Sequence, residues 1–170
     1  MNNPAPRSHA VVAQAWWGRL QPGPDGKGGN RGALARLRRV GRARDALLER
    51  EAIQLCRALP TVAFDVVAIT AAVLAHVRAD TPGSVAQRLG TGNGGAPVMS
   101  FLRFQRLIQA DTEDERLNAF RRAVALADRK VSVLDLADSL LDWTDQRRQG
   151  WLYSFFDEPT SAPLTEDQAA

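Results

Sequence analysis

Between His9 and Phe156, every segment with a clear apolar pattern repeats on a 3.6-residue period, and none alternates in the two-residue rhythm of a strand. A chain patterned this way buries its apolar residues by packing helices, so the fold class is all-α. Prolines and glycines cut the pattern into segments. His9–Leu20 places Val12, Trp16 and Leu20 on one side, and Gln21–Asn30, with four glycines and two prolines, must be a loop. The arginine-rich stretch Arg31–Arg44 follows as a helix with Leu34, Leu37 and Val40 inward, and Arg42 shares the face of Arg31 and Arg38 if Gly41 does not break it. Arg44–Leu59 is a second helix, either separate from it or continuous with it, which Pro60 stops. Thr61 is read as the cap of an apolar helix reaching about His76. Ser84 and Gln87 read as a capping box for a short helix ending at Gly90.

Thr91–Pro97 holds three glycines and a proline in seven residues and marks the internal break. Five segments follow: a tail over 1–8, a helical N-terminal domain over 9–90, a linker over 91–97, a four-helix bundle over 98–157, and a disordered tail over 158–170. In the bundle, Val98–Ala110 carries Phe101, Phe104, Leu107 and Ile108. Thr112–Glu115 is a capping box for the next helix, Ser132 caps the third, and Thr144 or Asp145 caps the last. No internal repeat is present.

Charge is unevenly spread. Residues 1–50 hold ten cations against three acids, whereas the remaining 120 hold twelve against sixteen. Arg31–Arg44 alone contains six arginines in fourteen residues, with no acid before Asp45. With the aliphatic stripe turned inward, Arg31, Arg36, Arg38, Arg39 and Arg42 form a guanidinium surface suited to nucleic-acid phosphates. The bland reading is a solvated basic face, and the missing acids weigh against self-neutralisation. Arg103 and Arg106 flank Phe104 on one side of their helix, Arg121 and Arg122 follow Phe120, and Arg147 and Arg148 open the last helix. Taken singly, each pair reads as a surface face; together with the first patch they would form a basic surface that tracks a strand. Trp16, Trp143 and Trp151 sit on apolar stripes and read as core, and Trp17 reads as the exposed candidate for base stacking.

Catalysis and metal binding find little support. His9 and His76 stand far apart, Cys56 is the lone cysteine, and the usual hydrolase and metalloprotease motifs are missing. Lys27 among glycines lacks the order of a phosphate-binding loop. Asp111, Glu113, Asp114 and Glu115 fall at a helix start, where capping explains them. Asp135, Asp138 and Asp142 share a helix face and would hold a cation only with outside ligands. No enzyme activity, cofactor or metal is expected. No signal peptide or bilayer-length apolar run is visible, so the protein is expected in the cytoplasm.

Four stretches carry a resemblance to a known family: Ala15–Leu20 with the glycine-rich loop behind it; Arg31–Val40 with its paired arginines; Arg103–Asp111 leading into Phe120–Val124; and Val133–Trp143 followed by Arg147, Arg148 and an aromatic ending at Phe156. In order and spacing they resemble the CasB-type small subunit of Cascade, the type I-E CRISPR interference complex. The likeness covers about Ala15–Asp157, with the middle, Glu49–Gly95, matching only in being helical. The resemblance implies a non-catalytic subunit present as two head-to-tail copies among other Cascade subunits. It would help hold guide RNA and the opened DNA strands of the R-loop. By the same likeness, Arg38, Arg39, Arg103, Arg121 and Arg122 contact the strands, and Arg148 matches more loosely. Arg31, Arg36, Arg42 and Arg106 rest on the basic surface itself. The competing reading is a helical adaptor whose arginines dock acidic protein partners. A sequence-specific regulator ranks last, for want of a clear helix-turn-helix.

Overall fold

The computed structural model describes residues 8–90 and 95–157. Thr91–Gly94 of the expected linker, residues 1–7 and residues 158–170 lie outside the described residues. The elements in order are α1 (His9–Leu20), α2 (Arg31–Arg39), a 3₁₀ turn (Ala43–Leu48), α3 (Arg50–Ala58), α4 (Phe64–Leu74), β1 (Ala79–Asp80), α5 (Val85–Leu89), α6 (Phe101–Ile108), α7 (Glu113–Leu126), β2 (Lys130–Val131), α8 (Val133–Leu141) and α9 (Asp145–Phe156). Among the described residues the fold is all-α apart from one two-residue parallel pair, β1 with β2, that periodicity does not show.

Side-chain caps start most helices. Ser84, Ser100, Ser132 and Thr144 each accept from the backbone N–H three residues on, and Thr112 with Glu115 closes a full capping box. Two boundaries differ from the sequence expectation. Thr61 does not cap α4; its hydroxyl lies 3.3 Å from His9 Nε2, and α4 starts at Phe64 behind an uncapped Ala63. The expected helix over Arg44–Leu59 is split, because Asp114 of α7 accepts a 2.8 Å hydrogen bond from Ala43 N and holds a 3₁₀ turn before α3 begins.

α4 is the centre of the molecule. Val67 through Ala75 are all buried, and the helix packs against the 3₁₀ turn, α2, α3, α7 and α8. A helix apolar on every side belongs in the middle of a core, and its alanines let its neighbours approach closely. One buried cluster extends from Ala10 in α1 to Phe155 in α9, so both halves of the chain contribute to it. Its aromatic end stacks Phe104 on Phe155 at 4.1 Å and sets Trp151 edge-on to Phe120 and Trp143. The Trp151 indole donates to Ser139 Oγ at 2.9 Å. Trp17, expected at the surface, is buried, and its indole donates to Val77 O at 3.3 Å. It is core, not a stacking platform.

Candidate nucleic-acid interface

The arginine-rich helix α2 is fixed at both ends. At its start the Asn30 side chain accepts from Ala33 N at 3.0 Å while its amide donates to Glu51 Oε1 at 2.9 Å. Gly29 just before it has φ +70°, and a Cβ there would collide with the Gln21 backbone. Leu34 and Leu37 are buried beneath the helix. Near its C-terminus, Arg38 Nε donates to Ala75 O at 2.6 Å, and Arg121 reaches across from α7 to Leu37 O and Arg38 O, each at 3.4 Å. A guanidinium on the last carbonyls of a helix is the capping its dipole favours.

The expected site arginines therefore divide by what they touch. Arg121 is half-buried, its Nε is enclosed without a partner, and burial lowers its pKa; it ties α7 to α2 instead of facing solvent. Arg38 is half-buried as well. Arg36 pairs with Glu49 at 2.7 Å, and Arg31 donates to Gly26 O at 2.6 Å. Arg148 pairs with Asp111 at 3.0 Å and lies 5.8 Å over the Trp143 ring, which anchors α9. Arg39, Arg42, Arg103, Arg106 and Arg122 are exposed, and among the described residues no side chain pairs with them.

Two basic surfaces result. Arg31, Arg38 and Arg78 line a shallow depression beside α2. Burial, then Arg78 and Arg129, hold Arg38 below the usual arginine range. Sequence reading missed Arg78 and Arg129. They join Arg38 only because β1 and β2 bring distant segments together, with Arg129 O accepting from Arg78 N at 2.8 Å. Asp128 and Arg129 both have φ near +58°, an uncommon left-handed pair that turns the chain from α7 into β2. The second surface is a cleft of about 390 Å³ between α6 and α7, rimmed by Arg103, Arg106 and Arg122 over Met99, Leu107 and Leu126. Helix α7 joins the two, carrying Arg121 toward α2 and Arg122 toward α6.

His76 is partly buried near Arg121, Arg129 and Arg38. Burial lowers its pKa to about 4, helped by Arg121, Arg129 and Arg38. Folding thus depresses a group that titrates near 6.5 when unfolded, so between those values the unfolded chain binds more protons. The stability His76 contributes is whole above about pH 6.5 and lost as the pH falls toward 4. Discounted for partial exposure, the loss is on the order of 2 kcal/mol. His76→Gln is expected to show a smaller difference in unfolding free energy between pH 7.5 and pH 5 than the unaltered chain; equal differences would show that His76 does not set the pH dependence of stability.

The model of the family described as CRISPR-associated protein Cse2 matches residues 33–156. The chain belongs to the Cse2 family. The match runs from α2 through α9 and includes Arg36, Arg38, Arg39, Arg42, Arg103, Arg106, Arg121, Arg122 and Arg148 but not Arg31. A solved structure similar in fold is a chain in the crystal structure of E. coli Cascade bound to a PAM-containing dsDNA target, at a TM-score of 0.62 and 19% identity over 85% of this chain and 91% of that one. No curated protein matches.

Six of the acids of this Cse2-family chain, all from the two acidic groups seen in the sequence, have structural partners. Asp111 pairs with Arg148, Asp114 holds Ala43 N, and Glu115 Oε2 accepts from the Asp111 and Thr112 amides, which lowers its pKa. Asp138 and Asp142 pair with Arg147, and Asp135 accepts from Val85 N at 2.8 Å. Among the described residues, no His, Cys, Asp and Glu side chains group in a way that would hold a metal, and no helix is long and apolar enough to cross a membrane.

Proposed function

We propose that the chain is a non-catalytic, sequence-nonspecific nucleic-acid-binding subunit of a Cascade-type RNA-guided surveillance complex in the cytoplasm. Alongside a second copy of itself, it holds guide RNA and the displaced and target DNA strands and so stabilises the R-loop. One observation carries the reading: Arg39, Arg103, Arg106 and Arg122 stand exposed and unpaired with acids on helices whose other faces are locked into one core, and Arg42 stands exposed and unpaired in the bend after α2. Base pairing with the guide supplies specificity in such a complex, and protein arginines supply backbone attraction. The family match and the shared fold support it.

The experiment is R-loop lifetime in a complex reconstituted with and without the chain. The chain is expected to lengthen the lifetime, and Arg39→Ala/Arg42→Ala is expected to recover less than half of the gain at 150 mM salt. Equal lifetimes with and without the chain would overturn the proposal. The adaptor reading keeps one observation in its favour: Leu48 is 85% exposed and Phe64 67% exposed, apolar surface suited to protein neighbours. It predicts tight binding to a protein partner and only weak, length-independent binding of the chain to DNA.

A further inference from the structure

The cleft between α6 and α7 has more internal structure than a charged surface needs. Met99 and Leu107, both buried, form its floor, and Leu126 forms a partly exposed apolar wall. On the far side of Ala119 a second depression of about 410 Å³ opens, lined by Gln109, Asn118 and Glu115. The two depressions share Arg106, Ala119 and Arg122. Among the described residues the Gln109 and Asn118 side-chain amides have no hydrogen-bond partner, whereas Glu115 turns Oε2 to the Asp111 and Thr112 backbone amides. An apolar slot, two guanidiniums at its mouth and free amides beyond them thus lie within one short groove.

That sequence of surfaces matches the chemistry of a nucleotide: an apolar base face, an anionic phosphate, and a polar sugar or base edge. We propose that the α6–α7 groove takes one unstacked nucleotide of a bound single strand. The base enters the slot over Met99 and Leu107, and its phosphate lies between Arg106 and Arg122. Arginine planes serve as stacking partners for splayed-out bases, so the groove needs no aromatic ring. Charge selects this occupant over an apolar peptide, because three arginines rim the slot and no acid lines it. The inference rests on the strand-holding function and adds to it a contact with a base, where the exposed arginines alone would contact backbone.

The test compares two labelled single strands of equal length on the full chain, one of mixed sequence and one with abasic sugars throughout. The unaltered chain is expected to bind the base-bearing strand about tenfold more tightly, within the range of a single base contact. Ala125 lines the slot yet is exposed, so Ala125→Trp fills the slot without entering the core. That variant is expected to bind both strands equally, with an unchanged salt slope. As a second readout on the unaltered chain, photocrosslinking from halogenated uracil is expected to label a peptide containing Met99 or Leu126. Equal binding of the two strands by the unaltered chain, a preference surviving in Ala125→Trp, or labelling confined to other helices would each overturn the slot. So would an Ala125→Trp variant that keeps its strand preference but no longer joins its protein partners. If both strands bind equally and Arg103→Ala/Arg106→Ala still weakens both, the slot alone falls. If neither strand binds at low salt, the strand-holding function falls with it.

Discussion

Replacing Arg103, Arg106 and Arg122 together with alanine is expected to lower single-strand affinity about 100-fold at low salt. Each is exposed and free of acids, so each charge is available to a phosphate. At about 1 kcal/mol per exposed charged contact, three contacts amount to about 3 kcal/mol, or roughly two decades in Kd. The dependence of log affinity on log salt should become shallower by about 2, since each single-strand phosphate contact contributes about 0.7. Net charge alone is tested by Arg19→Ala/Arg50→Ala/Arg57→Ala, which removes the same charge from α1 and α3. That variant should lose far less affinity, and a similar loss would show that placement at the α6–α7 cleft is irrelevant. Arg36→Ala and Arg148→Ala should barely move the slope, because Glu49 and Asp111 already neutralise those guanidiniums.

Gly90→Ala is expected to have the largest effect on stability. Gly90 follows α5, and a Cβ there would fall on the carbonyl of Phe155 in α9. Backbone cannot yield as a flexible side-chain tip does, so α9 must shift. Phe155 stacks on Phe104 of α6, and moving it loosens the aromatic layer beneath Arg103 and Arg106. A cost of about 3 kcal/mol corresponds to a fall in Tm of roughly 6–12 °C for a chain of this size. Thermal unfolding measures it directly, and an unchanged Tm would contradict the α5–α9 contact.

These two sites show what the sequence reveals and what it hides. Ser84, Ser132, Thr112 and Thr144 are legible as caps because a cap is made within four residues of chain. The inward stripe of α2 and the outward Arg103 and Arg106 follow from local periodicity in the same way. Whatever depends on distant partners stays hidden. Trp17 is buried because Val77, sixty residues on, accepts its indole N–H. Arg121 turns inward because the unpaired carbonyls ending α2 lie opposite it. The 3₁₀ turn before α3 exists because Asp114 holds Ala43 N. Arg78 and Arg129 gain their place beside Arg38 only through a strand pair of two residues each, too short to leave a periodic trace. The family resemblance, carried by the arginine pairs and the aromatic ending, is legible in the sequence because order and spacing are local to the chain, and the Cse2 match confirms it.

Exposed arginines that hold strands without reading sequence bind any strand through its phosphates. Binding of the full chain to labelled mixed-sequence single- and double-stranded oligonucleotides across a salt series tests this most directly. Unrelated sequences should bind alike, with affinity falling steeply as salt rises, at a log–log slope of about −3 or steeper for single strands. No binding at low salt, or binding indifferent to salt, would contradict the claim.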